Sequence, residues 1–132
     1  MNGSAMELRV DPFPSNVDLN ALWRAAWNAG EDRDFSAILP RSLVHVGAYE
    51  ASRLVGFVNV AWDGGIHAFI LDTCVVPSLR RKGVATRMVE KAIEISRERG
   101  AEWMHVDFEP RLEAFYRKCG FRHTEAGVVR LR

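Results

Sequence analysis

The sequence is short of most features that would mark a secreted, membrane-bound or nucleic-acid-binding protein. It has 2 cysteines in 132 residues, Cys74 and Cys119. Both fall in apolar stretches, which suits a reducing cytoplasm better than a disulfide framework. No apolar run approaches the roughly 20 residues that cross a bilayer. The amino terminus lacks the charged-then-apolar pattern of a secretion signal. Lys and Arg number 18 against 17 Asp and Glu, a net charge of +1. No bulk field therefore draws a nucleic acid or an anionic membrane. The four histidines, His45, His67, His105 and His123, have no ligand spacing, so no metal site is expected. Repeats, low-complexity tracts and linkers are absent as well. Any attraction for an anion must be local.

What is present reads as one soluble domain over residues 6–132, with 48% hydrophobic and 27% charged residues. Met1 to Ala5 is small and polar, and is read as a disordered leader or cloning remnant before a native start at Met6. Glu7 to Val10 alternates like a strand and is ended by Pro12 and Pro14. Leu19, Leu22, Trp23, Ala26 and Trp27 recur at helical spacing behind a Ser15 or Asn16 cap. Core packing is the default for the two tryptophans and a binding-pocket wall the sharper alternative. Glu31, Asp32 and Asp34 read as a solvated loop, and Phe35 to Leu39 as a second short helix. Leu43 to Tyr49 and Leu54 to Trp62 read as strands. Asp63-Gly64-Gly65 is a tight-turn signal, which makes Ile66 to Val76 antiparallel to the strand before it. That strand is apolar enough to be covered on both faces. Ala85, Met88, Val89, Ala92, Ile93 and Ser96 share one helical face. Trp103 to Phe108 follows as a strand parallel to Ile66–Val76. Pro110 opens a last helix bearing Leu112, Phe115, Tyr116 and Cys119, capped at Gly120. Phe121 to Thr124 and Val128 to Leu131 read as two closing strands. The order βααβββαβαββ is α/β with a mostly antiparallel sheet.

The most informative stretch is Leu71 to Thr86. An apolar strand breaks at Pro77, passes Arg80-Arg81-Lys82 and Gly83, and becomes a helix. Unpaired N–H groups and the positive end of a dipole at that helix start suit a phosphate. Its loop is neither of the common nucleotide-binding glycine patterns, which disfavours a nucleotide-binding α/β domain.

Three ordered segments resemble the GNAT superfamily of acyl-CoA-dependent N-acyltransferases. Val75-Val76-Pro77 resembles the V-x-P ending the family's fourth strand. Arg80-Arg81-Lys82-Gly83-Val84-Ala85 is similar to its pyrophosphate loop, Q/R-x-x-G-x-G/A. Ala114 to Phe121 is similar to its segment ending Y-x-x-x-G-F. The resemblance implies a single-domain α+β fold whose central parallel strand pair splays apart between flanking helices. It further implies acetyl-CoA as cosubstrate and an amine as acceptor, joined in a ternary complex. Val75, with Cys74 or Val76, would hold pantetheine and the thioester carbonyl through backbone groups. The amides of Arg81, Lys82, Gly83, Val84, Ala85 and Thr86 would wrap the pyrophosphate, aided by the Arg80 and Arg81 side chains. Tyr116 matches the family's proton donor to the leaving thiolate. An amine of pKa about 10.4 costs roughly 4.6 kcal/mol to deprotonate at neutral pH, so a base is needed as well. Phe69 stands where relatives carry a glutamate, which leaves Asp72, His67, His105 and Glu109, with Asp72 chosen. Glu109 itself replaces an asparagine that contacts the cofactor in relatives. A non-catalytic acyl-CoA-binding module is the alternative function, and a homodimer is open.

Overall fold

The computed structural model describes residues 6–132, and the expectation for residues 1–5 lies outside them. Eight main elements run in the order β1 (Glu7–Val10), α1 (Asn16–Trp27), β2 (Ser42–Glu50), β3 (Arg53–Trp62), β4 (His67–Val75), α2 (Val84–Glu98), β5 (Trp103–His105) and α3 (Glu113–Lys118). The strands form one sheet in sequence order. Its pairings are antiparallel except β4 with β5, which is parallel.

Local chemistry sets most of these boundaries. The Ser15 hydroxyl accepts the Asp18 N–H at 3.1 Å and starts α1. The β2–β3 hairpin turns on Ala51 and Ser52 at φ 50° and 67°, the geometry of a two-residue turn matched to strand twist. Gly65 donates its N–H to Asp63 at 2.9 Å, and the Trp62 indole donates to the Gly65 carbonyl at 2.6 Å, closing the β3–β4 turn.

Neighbouring residues on β3 hold helices on opposite faces. Phe57 meets Trp23 of α1 with ring centroids 5.9 Å apart. On the other face, a Cβ on Gly56 would lie 3.1 Å from the Met88 thioether, so its absence lets α2 settle close. Leu19, Leu22, Val58, Val60, Met88, Val89 and Ala92 are buried between these layers, each large side chain contributing about 1.5–3 kcal/mol of transfer free energy.

Several expectations need correction. Phe35 to Leu39 is not a helix. Its chain makes a turn followed by a 3-10 segment, Leu39–Arg41, because Pro40 removes a donor. Asn20 explains the preceding loop: its buried amide exchanges hydrogen bonds with the Arg33 N–H and C=O at 2.8 Å each. Glu31, Asp32 and Asp34 are exposed, as a solvated loop requires, and Asp34 accepts from Asn16 and from Ser36 and is held down to about 2 by those bonds. β4 is not covered on both faces: Ala68 and Ile70 are buried, but Phe69 and Leu71 are 47% and 41% exposed. Pro110 opens a 3-10 turn, Pro110–Leu112, before α3 begins. Residues 121–132 form no strand, and β5 stops at His105 rather than Phe108.

One polar contact pins β1 to the core. His45 is buried, and its Nε2 accepts the Phe13 N–H at 3.0 Å. Its Nδ1 is 3.6 Å from Asp11 Oδ1 and has no hydrogen-bond partner. Asp11 itself bonds Arg99 at 2.7 Å and the His45 N–H at 3.0 Å. Burial depresses the His45 pKa below 6.5, with Asp11 opposing and Arg99 reinforcing. A second ring proton would displace the Phe13 donor. Below 6.5 the unfolded chain therefore takes a proton that the native ring refuses, so stability falls with pH until the native ring also titrates. Urea unfolding is expected to give a lower midpoint at pH 5.5 than at pH 7.5, and His45→Gln is expected to shrink that difference. An unchanged difference would remove His45 from the account.

Candidate active site

β4 and β5 pair at only three positions, His67–Trp103, Ala68–Met104 and Phe69–His105. β4 then continues along β3 while the chain after His105 leaves the sheet through Val106 to Glu109. The divergence coincides with a bulge. Leu71 faces Asn59 and Cys74 faces Phe57, so β4 takes three steps where β3 takes two. Asp72 absorbs the extra residue at φ 59°, a left-handed conformation that aspartate enters more readily than most residues. A cleft of about 380 Å³ opens between the diverging chains. Trp27, Leu71, Asp72, Thr73, Val106, Asp107, Phe108, Glu109 and Tyr116 are among its lining residues.

The cleft end of β4 has backbone to spare. The Val76 N–H is committed to the Val55 carbonyl at 2.9 Å. Strand alternation then turns the Val75 N–H and C=O away from β3, toward the open side. Of the three residues expected to serve through their backbone, Val75 is oriented for it and Val76 is not free to donate. Cys74 is buried, and burial with the nearby Asp72 carboxylate pushes its thiol up to about 12, so it is a neutral packing group.

Tyr116 reaches the same cleft from α3. Its ring stacks on Phe108 at 4.8 Å and 25°, and meets Phe115 and Phe121 edge-on. Only 6% of it is exposed. Burial raises the phenol pKa above 10, and the Thr73 hydroxyl pulls it partly back. Thr73 Oγ1 is buried beside it and makes no hydrogen bond of its own. Burial likewise raises the Asp72 carboxyl above 3.8, opposed by Arg33. A retained proton on Tyr116 and a strengthened base at Asp72 therefore border one space.

Val76 leads into a 3-10 turn, Pro77–Leu79, and then the cationic loop. Arg81 and Gly83 both take positive φ, 64° and 80°. Gly83 is the N-cap of α2 and offers no side-chain acceptor, so Val84, Ala85 and Thr86 begin the helix without a side-chain cap. A Cβ on Gly83 would touch nothing within 4 Å, so the glycine answers to backbone conformation rather than crowding inside the chain. The Arg80 guanidinium donates to the Ala26 carbonyl at 2.7 Å, tying the loop to the end of α1. Arg81 and Lys82 are exposed.

The remaining candidates divide. Trp23 is core, whereas Trp27 borders the cleft. Glu109 lines the cleft and pairs with Arg111 at 2.9 Å. His67 and His105 contact each other at 2.8 Å, and His105 stacks on Phe69 at 4.6 Å, on the exposed face of β4 and β5. Neither is among the residues lining the cleft. Sequence reasoning missed Thr73, Phe108 and the bulge at Asp72, because none carries a local signal. Among the described residues no three His, Cys, Asp or Glu side chains gather as a metal site requires. No helix among them is long and apolar enough to cross a membrane.

A splayed parallel pair joined through a glycine-bearing loop and helix defines an acyltransferase-type fold, and comparison with known proteins agrees. The Acetyltransferase (GNAT) family model matches residues 4–121. The chain belongs to that family, whose members take acetyl-CoA as acyl donor. It is 32% identical over 120 residues to GCN5-related N-acetyltransferase 1, chloroplastic, of Arabidopsis thaliana, covering 86% of this chain and 59% of that protein. It is 29% identical over 115 residues to Serotonin N-acetyltransferase 2, chloroplastic, of Oryza sativa, covering 81% and 58%. The chain spans 38% to 59% of the length of the curated relatives it matches. A probable acetyltransferase of Staphylococcus aureus superposes with a TM-score of 0.81 over 97% of this chain and 99% of that one, at 23% identity, a likeness of fold.

Gly83→Ala is expected to cost about 1–2 kcal/mol in chemical unfolding, from the left-handed conformation alone. Isothermal titration should show weaker CoA binding as the loop relaxes. A variant as stable as the parent would show that the positive φ is not required.

Proposed function

We propose that this chain is the catalytic domain of an N-acetyltransferase, moving acetyl from acetyl-CoA to a primary amine by direct attack in a ternary complex. One observation carries the proposal: Tyr116 lines the cleft beside Asp72 and Thr73 of β4, and that strand runs on through Val75, whose N–H and C=O turn away from β3, to an uncapped helix start. Pantetheine would lie along the open edge of β4, with the thioester carbonyl at the Val75 N–H. Arg81, Lys82, Gly83, Val84, Ala85 and Thr86 would surround the pyrophosphate, with the Arg81 side chain nearby and Arg80 bracing the loop from α1. The amine would attack the carbonyl carbon, and the C–S bond would break toward Tyr116, which would protonate the departing sulfur. A thiol of pKa about 8.5 leaves readily with such help. Asp72 would take a proton from the bound ammonium, freeing the nitrogen lone pair that attacks. Its raised pKa brings it closer to the amine's and so makes it a stronger base than a solvated aspartate. A buried neutral Cys74 favours direct attack over an acyl-cysteine route.

The acceptor is read as a small molecule or peptide amine met in the cytoplasm, with Trp27 walling its approach. Neither nucleic acid nor membrane is proposed as a partner, no metal is proposed, and a second copy of the chain is. A second reading, an acyl-CoA-binding module without turnover, draws on Phe69 standing in place of the family's glutamate. Free-thiol release with a broad amine panel separates the two, since a module releases none.

Tyr116→Phe is expected to lower kcat by roughly 100-fold, the lower end of general-acid effects, with little change in acetyl-CoA binding. An unaltered rate would reject the donor role. Asp72→Asn is expected to lower kcat/KM and to abolish an acid limb. In the parent that limb lies above the ordinary aspartate value of 3.8, because activity falls as pH drops through the raised pKa. A limb that survives in the variant would assign the base elsewhere.

A further inference from the structure

The face of the sheet that carries α1 is left bare at the start of β4. Register puts Leu71 and Phe69 on the side of Asn59 and Ala61, the side from which Phe57 meets Trp23 of α1. Helix α1 ends at Trp27, which lines the cleft together with Leu71. Phe69 lies beyond them and is about half exposed. Trp103 and His105 join the same face from β5, opposite His67 and Phe69. The Phe69 ring is not loose there. His105 stacks on it at 4.6 Å and 18°, and His105 Nε2 is itself held by His67 Nδ1 at 2.8 Å. On the β3 side its neighbour is Ala61, too small to cover the ring.

This platform is continuous with the cleft, because Leu71 belongs to both. The two parts differ in charge. The cleft is lined by Asp72, Asp107 and Glu109 and, among the described residues, by no lysine or arginine. Beyond Leu71 the register places Ala61, His67, Phe69, Trp103 and His105 on the face, with no carboxylate, lysine or arginine among them. A ligand matched to both parts carries a cation at one end and a flat, uncharged body at the other. A polyamine would set a second ammonium on Phe69 with no counter-charge. A sugar would leave its hydroxyls short of partners, since the two imidazoles bond each other. An aromatic ring instead finds Phe69 in a fixed orientation, ready for stacking. Phe69 lies two residues from Leu71, about 7 Å along the strand, which an aryl ring on two or three methylenes spans.

We propose that Phe69, Leu71 and Trp27 seat the body of the acceptor, and that the amine acetylated at the cleft is an arylalkyl primary amine with a short linker, an inference that rests on the transferase reading of the cleft. The ammonium sits at Asp72, the linker crosses Leu71, and the ring lies against Phe69 with Trp27 closing the side of α1. Phe69 touches a part of the acceptor that does not react. It therefore sets which amine binds, and its removal raises KM more than it lowers kcat. His67 and His105 act through Phe69, as positioning residues that hold its ring.

Free-thiol release from acetyl-CoA by the full chain is to be compared for 2-phenylethylamine, n-butylamine, 1,4-diaminobutane and glucosamine. The arylalkyl amine is expected to lead each of the others by about 10-fold or more in kcat/KM, the discrimination that an apolar subsite supplies. Phe69→Ala, at an exposed position, is expected to keep the parent's thermal midpoint. It should cut the ratio of 2-phenylethylamine to n-butylamine by about 10-fold, through KM. Equal or faster turnover of n-butylamine, the diamine or the sugar overturns the inference and leaves the transferase reading standing. No thiol released with any amine removes both. A Phe69→Ala ratio equal to the parent's also overturns it, and a changed sedimenting mass beside that unchanged ratio gives the face to a protein partner instead. The amine panel with the unaltered protein stands whether or not the variant folds.

Discussion

The parallel pairing of β4 and β5 ends after three residue pairs, and the cleft proposed as the active site depends on that early stop. A continuous parallel ladder would occupy the backbone of β4 down to Val75. The bulge at Asp72 bends β4 onto β3 instead, while the chain after His105 swings toward Pro110 and α3. A strand is left with one edge bonded and one edge free, inside the protein rather than at its margin. Unpaired backbone groups in such a place demand partners, and a ligand with amides of its own can serve as one. Pantetheine is such a ligand. The left-handed Asp72 is local backbone strain at the bulge that borders the cleft.

One physical cause, burial, acts on three ionisable groups around the opening and leaves each with a different use. It lifts the Cys74 thiol to about 12 and makes it inert. It lifts the Tyr116 phenol above 10, which keeps the phenol protonated at neutral pH. It lifts the Asp72 carboxyl above 3.8, which turns a weak base into a stronger one. The cationic loop answers a different need. Its backbone is fixed by positive φ at Arg81 and Gly83, and its position by the Arg80 bond to α1, so the helix start is already in place for the phosphate proposed to bind there. That pre-organisation reduces what binding must spend on ordering.

Much of this was legible in the residues because it is local. The alternation in Leu43–Tyr49 and Leu54–Trp62, the Asp63-Gly64-Gly65 turn and the face shared by Met88, Val89 and Ala92 each specify an element within a few positions. Pro77, the three cations and Gly83 mark the loop in the same way. Phe35–Leu39 misled because its apolar spacing fits one helical turn, whereas the buried Asn20 and Pro40 decide the conformation from outside it. Ile66–Val76 misled because continuous apolarity does not report that a neighbour departs and uncovers Phe69 and Leu71. Asp72 carried no sign of its bulge, which arises from register against β3. Phe121–Thr124 and Val128–Leu131 misled because their β-branched and apolar residues suit a strand, while no neighbouring strand among the described residues pairs with them.

The central claim is that the free edge of β4 and the uncapped start of α2 are a single cofactor site created by the splay. Amide-resolved hydrogen exchange with and without CoA tests it most directly. Slowing confined mainly to the Val75 amide and to amides 81–86, on the two sides of the 3-10 turn, is the result this account predicts. CoA binding that leaves the Val75 amide unchanged, or that slows a different part of the sheet, would contradict it.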